Sequence, residues 1–168
     1  HNIKYIIVSH KAVEFYWPPQ HERSYMINVL KHAQQCYFVS KHNKTITEEQ
    51  FGFRFKNAKI IRNPMKIKPF PLKYPKTKQG FKLAIIGRLF IIDKGHDILF
   101  RILAKEKWKK RKLFLSIIGT GPDQNAIKSM AELLKIENLE FLGHQDNLKQ
   151  IWLNHHALAI PSRSEGLP

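Results

Sequence analysis

A single cysteine, Cys36, occurs in the 168 residues. No internal disulfide can form, and the chain suits a reducing compartment better than a disulfide-stapled secreted scaffold. Long apolar runs are also missing: no window approaches the roughly 18 uninterrupted apolar residues of a membrane span. Ile3 and Lys4 lead straight into a β-rich run, without the charged and then apolar regions of a secretory leader. Because the first residue is not Met, we expect the natural chain to begin earlier. Acidic residues are scarce, with 13 Asp and Glu against 29 Lys and Arg, a formal net charge of +16. That makes polyanions candidate partners: phosphate groups, anionic lipid headgroups or nucleic acid. The plain alternative is a lysine-rich composition spread over solvated faces.

What is present reads as a folded core, since 43% of residues are hydrophobic and 11% aromatic, too many for a disordered chain. Residues 3–9 form a β-branched apolar run short enough for a buried strand, ending at His10. Trp17-Pro18-Pro19 excludes regular structure in the next loop. Tyr25, Met26, Val29, Leu30 and Ala33 fall at helical spacing, predicting a helix over 22–35. A short strand at 36–39 meets Ser40, an N-cap for a helix through about residue 51. Residues 59–62 predict a third strand, stopped by Asn63-Pro64.

Residues 65–80 interleave Pro69, Pro71 and Pro75 with Lys66, Lys68, Lys73, Lys76 and Lys78. This is stiffened, solvated linker chemistry and the best domain boundary. We therefore expect an amino-terminal domain at 1–66, a linker at 67–80 and a second domain at 81–168. The second domain alternates cleanly. Strands at 82–87, 113–119, 139–143 and 157–160 are separated by helices at about 95–107, 123–135 and 147–154. That pattern predicts an α/β fold with parallel sheets and flanking helices, binding ligands at the carboxyl ends of its strands. Gly87-Arg88, Gly119-Thr120-Gly121, Gly143-His144 and residues 162–166 mark four such ends. The first is organised as an anion site: a strand stops at Gly87, Arg88 and Lys94 flank a short loop, and a helix begins near Gly95.

Taken in order, Gly87-Arg88-Leu89, Lys94-Gly95, Ile117-Ile118-Gly119-Thr120-Gly121-Pro122, Phe141-Leu142-Gly143 and Pro161-Ser162-Arg163-Ser164-Glu165-Gly166-Leu167-Pro168 resemble the retaining glycosyltransferases of family 4. Residues 38–43 and 60–64 resemble the last strand–helix–strand of that family's amino-terminal domain. The resemblance covers nearly the whole chain. It implies the GT-B architecture, two Rossmann-like domains with a nucleotide-sugar held mainly by the second. It also implies a piece cut at both ends, without the family's first strands and its second glutamate, and inactive alone.

The resemblance gives each residue a role. Arg88 and Lys94 hold the donor diphosphate, His10 and Glu165 are catalytic, and Gly87, Gly143, His144, Gly166 and Leu167 contact the donor sugar or nucleotide. No metal or other cofactor is expected, because fixed cations replace a divalent ion. The partners it implies are a nucleotide-sugar donor and a sugar, glycolipid or polysaccharide acceptor, in cytoplasmic synthesis of surface polysaccharide or glycolipid, without nucleic acid. His155 and His156 lack metal-site spacing. The run at 105–112 reads as a solvated helix end and loop. In its functional alternative, Trp108 and the lysines lean on an anionic membrane surface at the inner face of the membrane. Two other classes stay open: a basic α/β module that binds nucleic acid, and a degenerate transferase that keeps only the fold.

Overall fold

Apolar runs bounded by glycine and proline form the strands, and the amphipathic stretches between them form the helices. The computed structural model describes residues 3–64, 71, 73–76 and 80–165. The chain divides into two compact units, His1–Lys68 with Ser164–Pro168, and Pro69–Arg163. Much of the expected linker at 67–80 lies outside the described residues.

The first unit runs β1 (Ile6–Ser9), α1 (Gln20–His32), β2 (Gln35–Phe38), α2 (Lys41–Phe51) and β3 (Ala58–Ile60), its strands parallel in the order β1-β2-β3. The helix expected at 22–35 starts and ends earlier. Pro19, with φ −62°, supplies the extended entry residue, and Gln35 joins the strand instead. The Ser40 hydroxyl accepts the Asn43 N–H at 3.1 Å, and Gly52 closes α2 in the left-handed conformation. Such a cap contributes about 1 kcal/mol. Leu30, Cys36, Phe38, Phe51 and Phe55 form the core, where burial pushes the Cys36 thiol up. Burial also opposes ionisation of Glu48. Hydrogen bonds from Lys44, Arg54 and the Phe55 N–H outweigh it and hold the carboxyl below its ordinary value.

The second unit runs β4 (Phe81–Ile86), α3 (Ile91–Lys94), α4 (His96–Leu103), α5 (Glu106–Lys109), β5 (Leu113–Ile118), α6 (Gln124–Leu133), β6 (Leu139–Gly143), α7 (Leu148–Asn154) and β7 (Ala157–Leu158). All four strands are parallel, in the order β6-β5-β4-β7. Alternation along the strands sends Ile85, Leu115 and Ile117 to one face with Leu99, Phe100 and Ile127. Ala84 and Ile118 go to the other face with Ile151 of α7. Helices therefore cover both faces of a doubly wound sheet. The chain steps from β4 outward to β6, then returns past β4 to β7, so the strand order reverses at β4. Crevices for ligands open at the carboxyl ends beside such a reversal.

The single helix expected at 95–107 is broken in two, α4 and α5. A short α3 precedes it, and Lys105 takes an extended conformation between α4 and α5. The first N–H of α3, inside the expected anion loop, is already used, because Ile91 N–H donates to the Asp123 carboxylate at 2.7 Å. Asp123 stands at the start of α6, so a carboxylate of the chain itself caps α3.

The loops after β4 and β5 lock together through main chain. Gly87 N–H donates to Ile118 at 2.9 Å, Leu89 N–H to Thr120 at 3.0 Å, and Asp123 N–H to Leu89 at 3.1 Å. Gly119 has φ +135°, and a Cβ there would lie 2.0 Å from the Gly87 carbonyl oxygen. Backbone cannot yield as a flexible side chain can. Gly119→Ala should therefore cost about 3 kcal/mol, from left-handed strain and overpacking together. Urea unfolding of the purified chain measures this; a loss within about 0.5 kcal/mol, typical of an unconstrained surface site, would contradict the locked-loop geometry.

Candidate functional site

β4, β5 and β6 end level with one another, and the residues at and just after their ends surround a cavity of about 460 Å³. Gly87 and Arg88 form one wall, Gly119 and Thr120 another, and His144 with Asp146 a third. Arg88 is exposed, its guanidinium 5.4 Å from the centre of the Phe90 ring. Lys94 is the last residue of α3, where a cation suits the negative end of the helix dipole. Its aliphatic stem passes over Gly87, 3.4 Å from where a Cβ would stand. Gly87 thus precedes one cation in the chain and lies under the stem of the other. His144 Nε2 is 3.0 Å from the Asp146 carboxylate, at the exposed rim. Gly143 accepts the Gly119 N–H at 2.7 Å, which ties β6 into the same edge.

Of the residues singled out in the sequence, Gly87, Arg88 and His144 line the cavity, while Lys94 and Gly143 adjoin those walls. His10 belongs to the first unit. It is exposed just after β1, and its carbonyl accepts the Asn43 side-chain N–H at 3.4 Å. Glu165 is half-buried in the segment grouped with the first unit. Gly166 and Leu167 lie outside the described residues. His155 and His156 are used inside the sheet: His155 is hydrogen-bonded to Ser116, and His156 Nδ1 accepts the Lys82 N–H.

Sequence reasoning missed the clamp that holds this edge. Arg163 donates both guanidinium nitrogens to Asp97 at 2.8 and 2.7 Å and a further hydrogen bond to the Ile91 carbonyl, while its N–H bonds Asp93. Arg101 completes the pair from the next turn of α4 at 2.6 Å. Gly95, with φ +63°, lets the Pro161 carbonyl approach to 2.1 Å from where its Cβ would lie. The segment after β7 is therefore fastened onto the α3–α4 turn that carries Lys94. Between them, at Gly95–His96, the chain is buried, and desolvation pushes the His96 imidazolium down so that the ring stays neutral. Only the i, i+4 pair of Asp97 with Arg101 is visible as a local pattern. Arg163 is 66 positions away.

The comparisons agree with this architecture. The profile of the glycosyl transferases group 1 matches residues 67–168, more than half of the chain. The chain belongs to that family. It is 25% identical over 168 residues to an uncharacterised glycosyltransferase of Haemophilus influenzae, covering 99% of this chain and 46% of that protein. Among solved structures, the lipopolysaccharide outer core galactosyltransferase WaaB matches 89% of this chain and 41% of its own, at 24% identity and TM-score 0.67. TarM of S. aureus, solved with UDP, matches 98% of this chain and 33% of its own, at 18% identity and TM-score 0.78. Anabaena HepE, solved with UDP and glucose, matches 95% and 46%, at 18% identity and TM-score 0.71. These structures show the fold, GT-B, and the chain spans less than half the length of each of these relatives.

The clamp has a pH signature. Hydrogen bonds from Arg163 outweigh the burial of Asp97, and with Arg101 they lower its carboxyl from 3.8 to about 2. A depressed folded-state value adds stability above about pH 4 that is lost as pH falls towards 2. Both arginines are exposed, so solvent screening reduces the contribution to about 1–2 kcal/mol. Wild type should lose that much more unfolding free energy than Asp97→Asn between pH 5 and pH 2. Parallel pH profiles would show that the clamp does not stabilise the fold.

Proposed function

We propose that this chain is the donor-binding part of a retaining glycosyltransferase that moves a sugar from a nucleoside diphosphate to a hydroxyl acceptor. The observation that carries the reading is the Lys94 stem packed over Gly87, the residue before Arg88, at the end of the strand where the sheet order reverses. When the glycosidic bond of the donor breaks, negative charge grows on the departing diphosphate. A guanidinium and an ammonium fixed beside it stabilise that charge more in the transition state than in the ground state. Arg88 offers a fork of donors and Lys94 a point charge. These two cations do the work of a divalent ion, so the reading needs no metal. Two GT-B neighbours solved with UDP support a nucleotide ligand.

In this reading the cavity wall at His144, with Gly143 beside it, takes the nucleotide, and Glu165 with the amides of Gly166 and Leu167 takes the sugar. His10 keeps the role near the donor sugar that the resemblance gives it. Net retention at the sugar carbon and an acceptor among sugars, glycolipids or polysaccharides complete the proposal. Its setting is cytoplasmic synthesis of surface polysaccharide or glycolipid. Among the described residues no helix is long and apolar enough to cross a membrane.

Titration calorimetry with UDP and GDP tests the diphosphate site without depending on turnover. Wild type should bind one of the two, and Arg88→Ala and Lys94→Ala should each weaken binding about 10- to 100-fold, the scale of a lost charge-assisted hydrogen bond. No binding by wild type, or equal binding by all three, would overturn the assignment.

A further inference from the structure

The densest charge on the second unit lies at the end of its sheet opposite the cavity just described. Residues 105–112 hold six cations against one acid, Glu106, and all six are exposed. They span α5 and the turn into β5. Among the described residues none of the six forms an ion pair. Beside them is a second cavity, of about 200 Å³, with apolar walls from Leu103, Trp108, Leu113 and Ile136. Lys109, Arg111 and Lys135 line the same cavity, with Asn138 and one acid, Glu137. Lys135 follows α6 with φ +52°, a left-handed turn where glycine usually ends a helix. A lysine held there despite the strain adds a further cation to this surface. Leu133, the last residue of α6, is 80% exposed.

An exposed leucine two residues before Lys135, and an apolar hollow beside six cations without an ion pair among the described residues, match an anionic membrane surface. The cations here outnumber the acids Glu106, Glu132 and Glu137. We propose that this end of the second unit docks on a bilayer containing anionic lipid. The cations face headgroup phosphates, and Leu133 enters the boundary between headgroups and acyl chains. Nucleic acid fits less well. Trp108 is the ring of this cavity, and its face is covered by the Arg111 guanidinium at 4.5 Å, so it offers no open platform for stacking a base. The docking surface is separated from the carboxyl-end cavity by the length of β5, six residues or about 20 Å. A docked bilayer therefore leaves that cavity uncovered, and membrane binding is separable from nucleotide binding.

Co-sedimentation of the whole chain with phosphatidylcholine vesicles, with and without phosphatidylglycerol, tests this. Wild type should bind only the vesicles containing phosphatidylglycerol. Each basic residue at such a surface contributes about fivefold, so K107Q/K109Q/K110Q should lower partition about 10²-fold. Leu133→Ser should lower it further at unchanged net charge. K4Q/K56Q/K59Q removes the same charge from exposed positions of the first unit and should bind almost as wild type does. Unfolding midpoints and UDP titration confirm that each variant is folded. Failure of wild type to bind, equal losses in the two triple variants, or an unaffected Leu133→Ser would overturn the proposal. So would an RNA affinity that falls with K107Q/K109Q/K110Q while vesicle binding does not.

Discussion

The carbonyl oxygen of Gly87 occupies the space where a side chain at position 119 would begin. That close main-chain approach fixes the height at which β4 and β5 stop, and most of the site follows from it. With the two loops locked, Leu89 is buried between them, and Arg88 before it is left facing solvent. The Gly87 surface stays bare enough for the Lys94 stem to lie across it. A side chain at 119 would push the loops apart and with them the two cations.

The Asp97 clamp acts on the other side of the same turn. A buried carboxylate is costly unless it is paired and fully hydrogen-bonded. Two arginines meet that need, and one of them, Arg163, brings the chain after β7 against α3. Arginine suits this task because its planar fork satisfies both carboxylate oxygens while a further N–H reaches the Ile91 carbonyl. Lys94 is thus held between a locked loop and a clamped segment, and its placement reflects both.

Local signals in the sequence carried much of the architecture. Ser40 as an N-cap needs only the next three residues, and the apolar runs of β4, β5 and β6 end at glycines that are read directly. The helix α3 was not legible, because Ile91-Ile92 alone suggests an extended loop. Its single turn is imposed by Asp123 at one end and Arg163 at the other, 32 and 72 positions from Ile91. The cations of the site were recognisable from order and spacing, but the packing of the Lys94 stem over Gly87 was not. Nor did the lysine run at 105–112 reveal the apolar hollow beside it, since Leu113 and Ile136 reach that cavity only through the packing of α4, α5 and α6.

The central claim is that a nucleoside diphosphate binds where β4 stops. Backbone amide resonances followed during UDP addition test it most directly, because they report the location of binding without any substitution. Shifts should concentrate at residues 87–94, 119–121 and 143–146 and be absent at residues 105–112 and 135. Shifts centred on the lysine-rich end, or spread evenly over the exposed cations, would contradict the account.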